Sequence, residues 1–283
     1  MITREAHDLA RLRAEIINSK EVPTIPVLLL RILRVVDGER AAARDLVDLM
    51  QRDQALAGRV LRLANSGFFG CSREVGSLAR AVMLLGFATV KNLALGIKIW
   101  ETMATRGGAS FTVLWEHSTL VGAAARLIAR HTRTVDPDEA FTAGLLHDIG
   151  KVVLRLHFAT LYDAVVAAGG ATPLVVRERD AFGVDHACAG AWLGSSWRLP
   201  EAIVDACREH HDEVGAGAPC SIPVIVNLAN RLVHWTDVEQ GELAPEAAAV
   251  LDGCGGLSFA AAVEIAAQLQ GQKDDLRVFY GAD

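Results

Sequence analysis

The chain has 283 residues, 51% of them hydrophobic and 22% charged, with a formal net charge of -6. That length and apolar content suffice for a sizeable core and argue against disorder, and the acidic balance argues against a general nucleic-acid grip, which needs a basic surface. Five scattered cysteines, Cys71, Cys188, Cys207, Cys220 and Cys254, include no Cys-x-x-Cys pair, which suits buried thiols in a reducing compartment better than a disulfide framework.

Helical periodicity dominates and strand alternation is scarce. Leu9, Leu12 and Ile16 mark an amphipathic first helix. Pro23 and Pro26 punctuate the chain, and proline suits a helix entrance because its missing N–H would be unpaired there anyway. Val27 to Val36 reads as a second helix stopped by Asp37-Gly38, and Leu46, Leu49 and Met50 mark a third. Ala55 to Ala64 is a fourth, with Leu56, Val60 and Leu63 on one face. Two more, split near Gly86, run to Trp100, and Gly107-Gly108 looks like a joint. Helices are then expected over Phe111–His131, Pro137–Leu156, Phe158–Ala168, Leu174–Phe182, His186–Trp197, Glu201–His210, Ile222–Trp235 and Phe259–Leu269. Asp136-Pro137 and Leu199-Pro200 are helix starts. Gly253-Cys254-Gly255-Gly256 follows no strand and reads as a plain turn, not a phosphate loop.

Met1 to Ala14 is charged and lacks a signal-peptide apolar stretch. The most apolar region, Ala81 to Trp100, is interrupted by Lys91 and Lys98. A cytoplasmic location without membrane contact is expected.

The histidines are unevenly placed: only His7 precedes His117, and eight lie in the second half. The sharpest segment is Leu145-Leu146-His147-Asp148-Ile149-Gly150-Lys151. A neutral imidazole beside a carboxylate can bind one divalent metal, or bridge two, if the helix is distorted there. The bland reading is a buried hydrogen-bonded pair that keeps helices in register. His117, His186, His210 and His211 come from other helices, and a bundle core is a standard place to assemble such ligands. Adjacent helical residues point about 100° apart, so His210 and His211 face one site only at a frayed helix end or across two ions. His131, His157 and His234 read as surface or helix-end residues, and Asn65 near Gly67 as a helix C-terminal device.

His117, the segment Gly144 to Lys151 and the later histidines together resemble the HD metal-phosphohydrolase superfamily. Val22-Pro23-Thr24-Ile25-Pro26, Gln51-Arg52-Asp53-Gln54-Ala55-Leu56, Leu61 to Gly70 and Ala81 to Gly86 resemble the HDOD family, the HD-related output domains of bacterial signalling. The resemblance covers roughly Val22 to Trp235. It implies an all-α fold: an HD-superfamily helical bundle with an additional N-terminal helical subdomain. The division it suggests is residues 1–108 for the N-terminal helical part, 109–240 for the HD-like core and 241–283 for a C-terminal helical extension.

By the superfamily pattern His117, His147, Asp148, His186, His210 and His211 fall on metal positions for Fe, Mn, Ni or Zn, mononuclear or dinuclear, with Lys151 near a phosphate site. One departure is that Asn230 stands where the last superfamily ligand is an aspartate, and a neutral amide is a poor substitute for that carboxylate. Another is that the segment after the paired histidines, His211 to Pro219, lacks the glycine-tyrosine-proline signature of the cyclic-di-GMP-cleaving relatives. The resulting expectation is a signal-transduction output module acting through a protein partner or a nucleotide or phosphate ligand. The alternative is a metal-dependent phosphohydrolase of a nucleotide or other phosphoester, with Asp148 and Lys151 in the catalytic roles.

Overall fold

The structure is a computed structural model that describes residues 4–35, 40–67, 69, 74–107, 110–215, 218–237, 242–243 and 257–280. The first half holds α1 (Arg4–Ile17), α2 (Val27–Arg34), α3 (Arg40–Gln51), α4 (Gln54–Asn65), α5 (Leu78–Leu85) and α6 (Phe87–Gly107). The second holds α7 (Ser110–Thr132), α8 (Pro137–Leu146), α9 (Ile149–Phe158), α10 (Thr160–Ala167), α11 (Leu174–Phe182), α12 (His186–Ser196), α13 (Glu201–Glu209) and α14 (Ile222–Trp235). A two-residue antiparallel pair follows, β1 (Thr236–Asp237) with β2 (Glu242–Leu243), and then α15 (Phe259–Tyr280). The fold is therefore all-α, as expected.

Local chemistry starts these helices where the sequence suggests. Asp53 caps α4 by accepting from the Leu56 N–H at 3.1 Å, and Ser77 caps α5 through the Arg80 N–H. Asp136 caps α8 twice, through the Asp138 and Glu139 N–H groups, with Pro137 in the first turn. Asn65 is a clamp: its side-chain oxygen accepts from the Val75 N–H at 2.7 Å, and its amide donates to the Val75 and Leu61 carbonyls. Gly86 stops α5 at φ 91°, a conformation that suits glycine.

The long helix α6 joins the halves, packing against α2, α4 and α5 on one side and against α8 and α9 on the other. The fully buried Trp100 donates from its indole to the Leu145 carbonyl at 2.8 Å. The buried guanidinium of Arg126 donates to Asp138 at 2.8 Å, and Asp138 also accepts from Thr89, linking α7, α8 and α6. One continuous cluster of buried apolar side chains runs from Ile16 to Leu276.

Two expectations are corrected. Pro137–Leu156 is not a single helix but α8 and α9, with His147 and Asp148 as the turn between them. Asp148 leaves helical geometry at φ -96°, ψ 9°, which lets both side chains face the same interior. The last helix also runs further than expected, to Tyr280 rather than Leu269. The run Gly253 to Gly256 lies outside the described residues. Among the described residues no helix is long and apolar enough to cross a membrane.

Candidate metal centre

Two close approaches of backbone assemble this region. Gly122 on α7 and Gly144 on α8 face each other: a Cβ on Gly144 would lie 2.9 Å from the Gly122 Cα, and one on Gly122 2.8 Å from the Phe141 carbonyl oxygen. This brings His117 of α7 towards the end of α8. On the other side, a Cβ on Gly150 would lie 1.8 Å from the His186 carbonyl oxygen and 2.5 Å from the Gly190 nitrogen. Only glycine lets α9 and α12 meet this closely, and that contact sets Asp148 beside His186.

All six residues singled out by sequence meet there. Asp148 is buried at the centre. Its Oδ1 lies 3.3 Å from His186 Nε2 and 3.4 Å from His210 Nε2, and its Oδ2 lies 3.4 Å from His147 Nε2 and 3.6 Å from His117 Nε2. His211 completes the group, its Nε2 2.9 Å from His186 Nε2. Two donor sets result, His117 with His147 and Asp148, and Asp148 with His186, His210 and His211, so Asp148 belongs to both.

The far side of three rings is tied down. His147 Nδ1 lies 2.6 Å from the Gly144 carbonyl, His210 Nδ1 2.8 Å from the Cys207 carbonyl, and His186 Nδ1 2.6 Å from Glu178 Oε2. These acceptors place a proton on Nδ1, so a ring held this way, in its neutral form, directs its Nε2 lone pair at Asp148. Lone pairs converging on a carboxylate repel one another unless a cation lies among them. The Nε2 atoms of His117 and His147 and the Oδ1 of Asp148 are buried and make no hydrogen bond of acceptable geometry. Around an ion bound at about 2.0–2.2 Å, neighbouring donor atoms stand roughly 2.8–3.6 Å apart. The observed 3.3–3.6 Å separations between nitrogen and carboxylate oxygen fall in that range. Imidazole and carboxylate donors suit Fe, Mn, Ni or Zn better than the all-oxygen preference of Ca or Mg. The residues present therefore fit a divalent transition metal.

Protonation follows the same logic. Burial holds the His117 imidazole down at about 3 and the His210 imidazole down at about 4, so both rings are neutral near pH 7. His186 behaves differently. Burial and the Lys151 charge oppose its proton, but the adjacent carboxylates of Asp148 and Glu178 outweigh them and raise its pKa. For Asp148, burial works against the carboxylate, yet His147, Lys151 and His186 hold its pKa well below the usual range. Lys151 Nζ sits 2.5 Å from Asp148 Oδ2, a tethered cation at the edge of the centre.

Sequence reasoning missed the contributions of Glu178, Tyr162 and His234. Glu178 is fully buried, accepts from both the backbone and the ring of His186, and takes a hydrogen bond from the Tyr162 hydroxyl at 3.1 Å. It occupies the middle of the apolar stripe Leu174, Glu178, Phe182, and a carboxylate in that stripe was the available signal. His234 is exposed in the last turn of α14, as expected, and its ring also lies 5.1 Å from that of His117. One turn earlier on the same helix, the buried Asn230 side-chain oxygen accepts no hydrogen bond. His131 is exposed at the end of α7 and His157 packs against Phe158, both apart from this group.

A cleft of about 460 Å³ opens beside the centre, lined in part by His117, Lys151 and His234.

A family model described as HDOD domain matches residues 22–213. A curated protein from Treponema pallidum, described as uncharacterized, is 28% identical over 228 residues, which cover 77% of this chain and 43% of that one; the chain thus spans less than half of that relative's length. The crystal structure of an HDOD domain protein with unknown function from Geobacter sulfurreducens is similar, with 27% identity, a TM-score of 0.74 and 96% of each chain covered. A protein from Shewanella amazonensis named as a phosphohydrolase shares the fold, with a TM-score of 0.78 at 22% identity, over 96% of this chain and 98% of that one.

Proposed function

The chain belongs to the HDOD family, and from that premise we propose that it is a bacterial signal-transduction output module built on a divalent-metal centre, acting through ligand and protein contacts rather than turnover. The observation that carries this reading is the donor set. Five imidazoles surround one carboxylate, Asp148, and the position expected to hold a second carboxylate is Asn230. His117, His147 and Asp148 would hold one ion, and Asp148, His186, His210 and His211 a second. A divalent ion bound there supplies Lewis-acid polarisation and lowers the pKa of coordinated water. Two such ions against one carboxylate leave a strongly positive centre. That suits capture of an anion better than release of an anionic product.

The chain's own groups have separable roles. Glu178 fixes the tautomer and orientation of His186, and Tyr162 fixes Glu178. Lys151 neutralises Asp148 and lines the cleft, where it would meet an anionic group. Contact with a protein partner is supported by Met83 and Leu84 at the end of α5, which are 76% and 50% exposed.

A metal-dependent phosphohydrolase is the second reading, favoured by the cleft that reaches His117 and Lys151. One experiment addresses both. Purified protein reconstituted with Mn, Fe, Ni or Zn is analysed for bound metal and assayed on a phosphoester panel. The module reading expects about one equivalent or more of metal, lost in His147→Ala, and no turnover. Turnover that disappears in His147→Ala establishes the hydrolase instead. Less than one tenth of an equivalent after reconstitution overturns both.

A further inference from the structure

The cleft beside the centre has a chemistry of its own. His117 and Lys151, both beside Asp148, line it together with His234, the neighbour of His117. Its walls are Phe111, Val113 and Leu114 from the start of α7, Val152 from α9, Val166 from α10 and Leu174 from α11. Val113 is 72% exposed and Val166 45%, so part of the apolar wall is open to solvent. The volume, about 460 Å³, is within the roughly 300–1,000 Å³ range of small-molecule sites.

The other polar groups of the lining, Tyr162, Arg155 and Asp163, are already engaged. The Tyr162 hydroxyl donates to Glu178, and the Arg155 guanidinium pairs with Asp163 at 3.1 Å. A nucleobase or ribose placed there would bury donors and acceptors against apolar walls, which is unfavourable without compensating hydrogen bonds. An alkyl or aryl body would instead cover Val113, Val166 and Leu174 and gain from leaving water.

We infer that the cleft binds an anionic amphiphile: a compact phosphate or carboxylate head at Lys151 and His234, and an apolar body along Phe111, Leu114, Val152 and Leu174. This deepens the ligand-binding part of the module reading and rests on it, although the apolar walls stand independently of any metal.

The test is calorimetric titration of the full chain, both chelator-treated and metal-loaded, with octyl phosphate, octanoate, octanol, inorganic phosphate and GMP, below micellar concentrations. Octyl phosphate or octanoate should bind at least tenfold more tightly than octanol, inorganic phosphate or GMP, and the stronger of the two identifies the head. Val166→Glu should weaken that binding at least tenfold while bound metal stays unchanged, and Val27→Glu, exposed on α2 and outside the cleft lining, should leave it unchanged. GMP binding more tightly than both amphiphiles overturns the inference, as does amphiphile binding indifferent to Val166→Glu or lost in Val27→Glu. Amphiphile binding with this mutational pattern in protein that takes up no metal would sustain the cleft and refute the metal centre, so the two failures are distinguishable.

Discussion

The two halves of the molecule use the same helical material in opposite ways. Among the described residues, fourteen polar or charged residues are buried, and only Ser66 and Thr89 precede α7. The first half is an aliphatic core around Leu29, Ile32, Leu46, Met50, Leu56 and Val60, with its polar groups spent on caps and clamps such as Asp53, Ser77 and Asn65. The second half buries Asp148, Glu178, His147, His186 and His210 in one place. Burying charge is unfavourable without partners, and here several of the Nε2 and carboxylate atoms lack them. The contrast teaches that the first half is built around apolar packing, while the second half concentrates buried polar groups that are only partly satisfied within the chain.

Gly150→Ala should affect this contrast most. A methyl group 1.8 Å from the His186 carbonyl must push α9 from α12, destabilising the protein by about 3 kcal/mol and abolishing metal uptake. Denaturation and metal analysis check both. Glu178→Gln keeps the shape but weakens the hold on His186, and metal affinity should fall roughly 10–100-fold. Tyr162→Phe, one bond further out, should give a smaller loss; calorimetric titration of metal into the chelator-treated variants checks both.

Acid should separate the halves in metal-free protein. The His117 and His210 pKa values are depressed to about 3 and about 4, so between those values and about 6.5 the unfolded chain binds more protons than the folded one, and stability falls as pH falls through that window. His186, with its raised pKa, works the other way: its contribution is complete below about 6.5 and disappears as pH rises through its folded value. Asp53 in the first half has a lowered pKa; burial alone would raise it, and the Lys98 hydrogen bond overcomes that. Its contribution is present above about 3.9 and is lost only below that pH. Thermal melts from pH 7 to 3 should show the histidine-linked loss first, and His210→Gln should reduce it.

Leu56→Ala should leave the centre least changed. It removes a fully buried side chain from the first half and should lower stability by about 3 kcal/mol without altering metal stoichiometry. If metal uptake fell in proportion, the contrast between scaffold and site would be wrong.

Much of this division is legible in the sequence. Spacing alone places α4, α11 and α14 close to their observed bounds, because each has apolar residues at helical spacing and a cap or proline at its start. The six-residue cluster follows from the crowding of histidines into the second half and the motif around His147. The break at Asp148 is not legible, because Leu145 to Val152 carries a helical pattern and the turn is imposed by the contact of Gly150 with the backbone of α12. Glu178 and His234 escape for a similar reason. Their roles depend on which helices meet, and no local pattern specifies that α11 backs His186 or that α14 faces His117.

The most direct test is anomalous difference density from crystals of protein reconstituted with Mn or Zn. The account predicts at least one ion within about 2.0–2.2 Å of Asp148 and of histidine Nε2 atoms in one of the two donor sets. Ordered water alone between those side chains, or an ion bound only elsewhere on the chain, would contradict it.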